Sequence, residues 1–350
     1  PDAADIDECY YTDKVLGVAS PFNTSDSASY TGIPCLSPGL CYNSPGVSLT
    51  PTCNDTCSFE VGYGDGTVES GHLALETFHM GGSVEKQQQR LVFGCTKFTP
   101  SASFLADMGI MGMSPGPFSF ISQILSNDNS MPQRFAYCLP ESFQSLNYTG
   151  SIHFGNYVIP PSSLISAMSY TPLQPPFGPS AYMYYYVTLE GITIGSVSLD
   201  TSLQPVNTSD LITPQGTIFD TGTPLTHLQT PLYNRFLQEF ILQSSHLNPS
   251  TADGTQACYT MPVLETKLPS VPTVSFHFAN NMTMELGPED LLFAAYADSV
   301  NSTVCLAMRD ADSSTLLNII GNYQQRNYWV EVDHASRRLG IAKANCARSI

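Results

Sequence analysis

Positive charge is the first thing this chain lacks. Lys and Arg number 13 against 30 Asp and Glu in 350 residues, giving a formal net charge of −17 and an isoelectric point near 4.5. A surface that negative repels phosphate backbones and anionic membrane faces, so nucleic acid and lipid headgroups are not expected partners. Charge of either sign is thin: 12% of residues, about half the usual share. Acidic surroundings suit such a chain, because protonated carboxylates relieve its self-repulsion. Long apolar runs are missing, and none approaches the ~18 residues of a membrane-spanning helix. Metal patterns are missing as well. The seven His are scattered without an HExxH string, and Cys53 and Cys57 form no CxxC pair, so neither a metal nor a cofactor is expected. The chain opens at Pro1 without Met or an apolar leader, which reads as a processed form or a piece.

What is present begins with cysteine. Ten of them, Cys9, Cys35, Cys41, Cys53, Cys57, Cys95, Cys138, Cys258, Cys305 and Cys346, make an even set. Six Asn-x-Ser/Thr sequons start at Asn23, Asn54, Asn147, Asn207, Asn281 and Asn301. Even cysteines, sequons and few lysines together favour an oxidising, secretory compartment. The choice between extracellular space, cell wall and vacuole stays open. A hydrophobic content of 42% over 350 residues is ample for a core and suggests two domains or lobes.

Helical periodicity is scarce. The best case runs from Thr230, read as an N-cap with Pro231 behind it, through Leu232, Tyr233, Phe236, Leu237, Phe240 and Ile241 on one face. Phe118–Leu125 is a second, shorter candidate. Elsewhere short apolar runs such as 90–95, 184–189 and 328–332 sit between Gly, Pro, Ser and Asn. That pattern predicts a mainly β protein rich in hairpins. Pro172–Pro179 holds four prolines in eight residues, which excludes an interior strand or helix and marks a linker. A faint internal repeat sets Gly109-Ile110-Met111-Gly112 against Asn318-Ile319-Ile320-Gly321.

Asp220-Thr221-Gly222-Thr223 is the sharpest chemical signal. Ile218 and Phe219 before it suit a buried strand, and Gly222 permits a tight turn. An Asp at such a turn is held by backbone N–H groups and hydroxyls, which can fix its protonation; as a bare string it is also an ordinary strand-capping turn. Two other strings fail on physical grounds. Gly112-Met113-Ser114-Pro115-Gly116 fits G-x-S-x-G, but Pro115 lacks the N–H that a serine nucleophile's oxyanion hole needs. Glycines 62, 64 and 66 miss the third Gly of a dinucleotide loop and precede a strand-like segment.

Context comes from resemblance. The strings IFDTGTPLTHL and NIIGNYQQRNYWVEVDHASRRLGIAKANC resemble the plant, nepenthesin-like branch of the pepsin-type (A1) aspartic proteases. The likeness continues through VGYGDGTVESG, LVFGC, DMGIMGMSPGPFSFISQI, RFAYCL and YYYVTLEGITIG, in order over essentially the whole chain. It implies a mainly β, bilobal pepsin-like fold with an interlobe cleft and a β-hairpin flap. The lobes would span 1–174 and 182–350, joined by a proline-rich linker at 175–181. The flap would carry Tyr63, Gly64, Asp65 and Gly66. The resemblance also implies an aspartic endopeptidase, acting on polypeptides at acid pH; a monomer is expected, although no sequence feature decides the oligomeric state. Two carboxylates sharing one proton would do the work, with split apparent pKa values. Asp220 would be one carboxylate, with Thr223 bonded to it, Thr221 bracing the two catalytic loops, and Ile319-Ile320-Gly321 packed beneath. The implied disulfides are Cys9–Cys95, Cys35–Cys57, Cys41–Cys53, Cys138–Cys346 and Cys258–Cys305, the second and third nested in one short segment and contributing roughly 2–4 kcal/mol each.

One family element is not found. The first lobe's own Asp-Thr/Ser-Gly-Ser and two following cysteines would precede the cysteine matching Cys9, yet Pro1–Glu8 reads PDAADIDE. Asp2, Asp5, Asp7 and Asp13 lack the apolar setting of the motif. The partner aspartate is therefore expected upstream of Pro1, and residues 1–350 alone are expected to be inactive. The alternative is a catalytically inactive binding protein on the same scaffold, of the xylanase-inhibitor kind, for which Pro224 in place of the more usual Thr also speaks.

Overall fold

A computed structural model describes residues 8–9, 22–35, 37, 40–41, 56–62, 68–80, 87–98, 110–127, 131–141, 150–175, 184–201, 216–250, 257–264, 267–311 and 317–347. Strands dominate, and the chain divides into two compact units, Pro1–Met131 and Pro132–Ile350. Among the described residues no helix is long and apolar enough to cross a membrane.

In the first unit, Val68–Met80 and Gln87–Phe98 form a long antiparallel hairpin, with Ser58–Gly62 and Thr31–Gly32 paired to the first of these strands. Ile33, Cys41, Cys57, Phe59 and Leu73 are buried as one cluster. Helix Phe120–Asn127 turns Ile121, Ile124 and Leu125 inward, the i, i+3, i+4 spacing of a buried face. Its Gln123 behaves like a strand partner, accepting from the Val92 N–H at 2.7 Å and donating to the Val92 carbonyl at 2.9 Å.

The disulfide pattern of this unit corrects one expectation. Cys57 is bonded to Cys41, not to Cys35, so neither Cys35–Cys57 nor Cys41–Cys53 stands. The cause is strand register. Pro34 sits opposite Thr56, and the Cys57 N–H donates to Ile33 O at 2.8 Å, while Cys35 Sγ lies against Thr56 O at 3.3 Å. A turn in which the Cys41 N–H reaches Ser37 O at 3.2 Å folds Cys41 back into the core beside Cys57. Cys35 and Cys95 are disulfide-bonded as well; Cys53 lies outside the described residues.

Among the described residues the second unit holds four sheets. In the first, strands Ser151–Phe154, Arg134–Cys138, Tyr328–Asp333, Arg338–Lys343 and Ser169–Pro172 lie side by side, all antiparallel. Residues 134–172 thus hydrogen-bond to 328–343, and Cys138–Cys346 fastens the same edge. This pairing puts the division between compact units at Met131/Pro132, whereas the lobe boundary read from the family pattern lies at the prolines; residues 176–183 of that stretch lie outside the described set. Tyr328–Asp333 is buried along its whole length, Glu331 included. That carboxylate accepts from Tyr157 at 2.8 Å and Tyr170 at 3.0 Å, with Arg134 at 3.8 Å, as a buried charge requires.

A second sheet orders Tyr186–Val187, Gly216–Phe219, Leu317–Ile320, Thr226–Leu228 and Met308–Asp310. Gly216–Phe219 runs parallel to Leu317–Ile320, while Thr226–Leu228 meets the other side of that strand antiparallel. The chain leaving Phe219 must therefore step across the end of Leu317–Ile320 within residues 220–225.

Helix Thr230–Gln243 follows, burying Leu232, Tyr233, Phe236, Leu237 and Phe240. Two details differ from the sequence reading. Ile241 is 43% exposed, because it falls past the edge of the buried stripe. The N-cap is Gln229, since the Thr230 hydroxyl is committed to Asp310 at 2.7 Å. Strands 189–194, 197–200, 274–278 and 282–286 form a third sheet; 249–250, 258–262, 292–297 and 301–306 form a fourth, whose opposed Cys258 and Cys305 are bridged.

Candidate active site

The crossing loop carries Asp220. Its N–H donates to Ile320 O at 3.1 Å, continuing the parallel ladder one residue past Phe219. Its side chain is gripped from within the loop: Oδ1 accepts the Gly222 N–H at 2.9 Å and Oδ2 accepts the Thr223 hydroxyl at 2.7 Å. A Cβ on residue 222 would lie 3.2 Å from that Oδ1, so glycine lets the N–H approach closely. A carboxylate has about four lone-pair sites, and this grip engages one on each oxygen. The other two sites, on a half-buried side chain, have no partner among the described residues and can take water or a second acid.

The loop rests on Ile319-Ile320-Gly321. Gly321 is required by contact, because a Cβ there would fall 2.5 Å from the Leu225 carbonyl carbon and 2.8 Å from Pro224 O. The helical turn Asn322–Gln325 begins at that point and clasps the loop. Asn322 N–H donates to Thr223 O at 2.8 Å, its Nδ2 to Thr221 O at 2.9 Å, and Tyr323 N–H to Pro224 O at 3.0 Å. Thr221 is exposed.

Beneath the loop lie residues that sequence reasoning left unassigned. Gln324 is fully buried. Its Oε1 accepts from the Thr226 hydroxyl at 2.7 Å and the Thr226 N–H at 3.2 Å, and its Nε2 donates to Asp290 O and Ala307 O. Thr226 Oγ1 in turn accepts the Gly321 N–H at 3.0 Å. Gln325, equally buried, donates to Ile320 O at 2.7 Å and accepts from Tyr137. Burial, then the negative charge of Asp220, pushes the Tyr137 hydroxyl far above its ordinary range. The same causes raise Tyr184. Two adjacent amides following an apolar-apolar-Gly element were the available signal for this network.

The other expected site residues fare differently. Tyr63, Gly64, Asp65 and Gly66 lie outside the described residues, as do Asn54, Asn147 and Asn207. Asn23 uses its amide locally, accepting from the Ser25 N–H and donating to Asp26. Asn281 and Asn301 are exposed. Among the described residues no three His, Cys, Asp or Glu side chains are grouped so as to hold a metal.

With this geometry in view, likeness to known proteins is informative. Residues 8–156 match the family model for the N-terminal part of xylanase inhibitors, and 184–343 match the model for their C-terminal part. The chain is 29% identical to aspartic proteinase nepenthesin-2 of Nepenthes gracilis over 94% of its length and 69% of that protein's. It is 30% identical to aspartyl protease AED3 of Arabidopsis thaliana, covering 93% of the chain and 68% of the relative. The chain thus spans about two thirds of these relatives. Among solved structures, soybean basic 7S globulin superposes with a TM-score of 0.68 at 21% identity, covering 92% of the chain and 85% of that protein. At that identity the likeness speaks for the fold, which is pepsin-like.

Proposed function

The chain belongs to the plant, pepsin-like A1 aspartic protease family, and from that premise we propose that it is the greater part of an acid endopeptidase with Asp220 as one of its two catalytic carboxylates. The observation that carries this reading is the gripped but still accessible Asp220 carboxylate, with one hydrogen bond on each oxygen. In the proposed reaction the two carboxyl groups share one proton. The ionised group removes a proton from a water molecule, whose oxygen attacks the scissile carbonyl carbon. The protonated group gives its proton to the carbonyl oxygen. Collapse of the tetrahedral intermediate breaks the C–N bond: the amine leaves with the proton taken from water, and one diol hydroxyl returns its proton to the other carboxyl group, restoring the shared proton.

The partner aspartate is proposed to come from sequence preceding Pro1. The internal repeat supports this. Gly321 is covered by the Asp220 loop at 2.5 Å, whereas a Cβ on its counterpart Gly112 meets no described atom within 4 Å. Ile110 and Met111 beside it are 51% and 49% exposed. A first-half aspartate loop laid over this element would repeat the second-half arrangement. Secretion, with glycans on some sequons, belongs to the same proposal, in keeping with the disulfides at Cys41–Cys57, Cys138–Cys346 and Cys258–Cys305.

A second reading, a binding protein without catalysis, is favoured by the xylanase-inhibitor family models. One assay separates the two. The protein is produced with its native upstream sequence and offered a denatured protein at roughly pH 3–5, with and without pepstatin. Pepstatin-sensitive cleavage supports the endopeptidase. A folded sample without cleavage overturns it in favour of the binding protein.

A further inference from the structure

A chain of hydrogen bonds joins the backbone of Asp220 to a tyrosine more than eighty residues earlier. Ile320 O accepts two hydrogen bonds, from the Asp220 N–H at 3.1 Å and from Gln325 Nε2 at 2.7 Å. Gln325 Oε1 accepts the hydroxyl proton of Tyr137 in the neighbouring strand Arg134–Cys138. A carbonyl can only accept, so Gln325 must turn its NH₂ toward Ile320 and its oxygen toward Tyr137. With its pKa driven up by burial and by the Asp220 charge, Tyr137 stays a donor at every working pH. The relay runs one way: Tyr137 hydroxyl, Gln325 amide, Ile320 carbonyl, Asp220 backbone.

We propose that Tyr137 and Gln325 are positioning residues for the Asp220 carboxylate, holding its backbone so that Oδ1 and Oδ2 stay on the Gly222 and Thr223 donors. The pair touches none of the reacting atoms. Removing the Tyr137 hydroxyl frees the amide to turn over, which would set two acceptors face to face at Ile320 and release the Asp220 N–H.

The kinetic readout rests on the endopeptidase reading, and a second readout does not. In the protein carrying its native upstream sequence, Tyr137→Phe is expected to lower kcat about 10-fold with KM within about twofold. Tyr157→Phe, which removes a hydroxyl from Glu331, serves as the matched loss of a buried hydrogen bond and leaves kcat unchanged. Gln325→Glu can stand in for the amide only while its carboxyl is protonated, accepting from Tyr137 and donating to Ile320 O. Its kcat should therefore approach wild type at the acid end and fall as pH rises, at pH values where thermal melting shows it folded. Equal kcat and equal pH profiles for wild type, Tyr137→Phe and Gln325→Glu would overturn the proposal. Should the wild-type protein prove inactive, the endopeptidase reading fails on its own account. The relay is then judged by amide hydrogen exchange at Asp220 and Gly222. Exchange about 10-fold faster in Tyr137→Phe than in Tyr157→Phe supports it, and equal rates refute it.

Discussion

Replacing Gly321 by Ala adds one methyl group where the fold has no room. That methyl carbon would sit 2.5 Å from Leu225 C, 2.6 Å from Leu225 O and 2.8 Å from Pro224 O. All three are backbone atoms of the Asp220 loop, so no side chain can rotate away. Overpacking of this kind costs about 1–3 kcal/mol, and displacement of clasped backbone places the variant at the upper end, about 3 kcal/mol. At roughly 2–4 °C per kcal/mol for a unit of this size, melting should fall by about 6–12 °C. Gly112→Ala is the companion in the other copy of the repeat. With no described atom within 4 Å of its added Cβ, it should move the melting temperature of the 350-residue chain by about 1 °C or less, the scale of an ordinary surface change. In the protein with its upstream sequence, where a first aspartate loop is proposed to lie over Gly112, the same substitution should become as costly as Gly321→Ala. Differential scanning calorimetry of both variants in both lengths reads the contrast. If Gly321→Ala melts with wild type, the packing account of the loop is wrong. If Gly112→Ala stays silent in the longer protein, the proposed cover over Ile110–Gly112 is wrong.

Other consequences are simpler to state. Non-reducing peptide mapping should recover Cys41 linked to Cys57, and a Cys35–Cys57 peptide would contradict the register of Pro34 with Thr56. Cys138→Ser with Cys346→Ser opens a bridge across 208 residues and should cost about 3–5 kcal/mol in denaturant unfolding. Burial lowers the pKa of His153 in the folded state. Below its unfolded value near about 6.5 the unfolded chain then binds more protons, so stability falls with falling pH. His153→Phe should flatten urea midpoints measured from neutral pH downward, and an unchanged slope would refute this. Burial raises Asp290 despite Lys343 at 3.8 Å. Ionising it therefore costs stability once pH passes its unfolded pKa, and Asp290→Asn should stabilise at neutral pH and lose that advantage in acid.

Much of the fold was legible in the sequence because its signals are local. Short apolar runs between turn formers gave the β character, and the spacing of Leu232, Phe236 and Phe240 gave the long helix. The turn at Asp220-Thr221-Gly222-Thr223 was legible as chemistry because its hydrogen bonds span only two or three residues. Long-range effects escaped. The Thr230 hydroxyl bonds Asp310 eighty residues away, so the capping rule that suited Thr230 named the wrong residue. The cysteine pairs of the first unit depend on which residue faces Ile33 across a bridge, and spacing does not reveal that. Gln324 and Gln325 act through Thr226, Ile320 and Tyr137, contacts that exist only once the parallel strands 216–219 and 317–320 are in register.

The central claim is that Asp220 is one half of a proton-sharing dyad. Its most direct test is the acid-pH kcat of the protein with its native upstream sequence, measured beside the Asp220→Asn variant on one denatured substrate. The account predicts pepstatin-sensitive turnover in the first and a loss of at least ~10³-fold in the variant, with melting temperature retained. Equal turnover in the two proteins would contradict it.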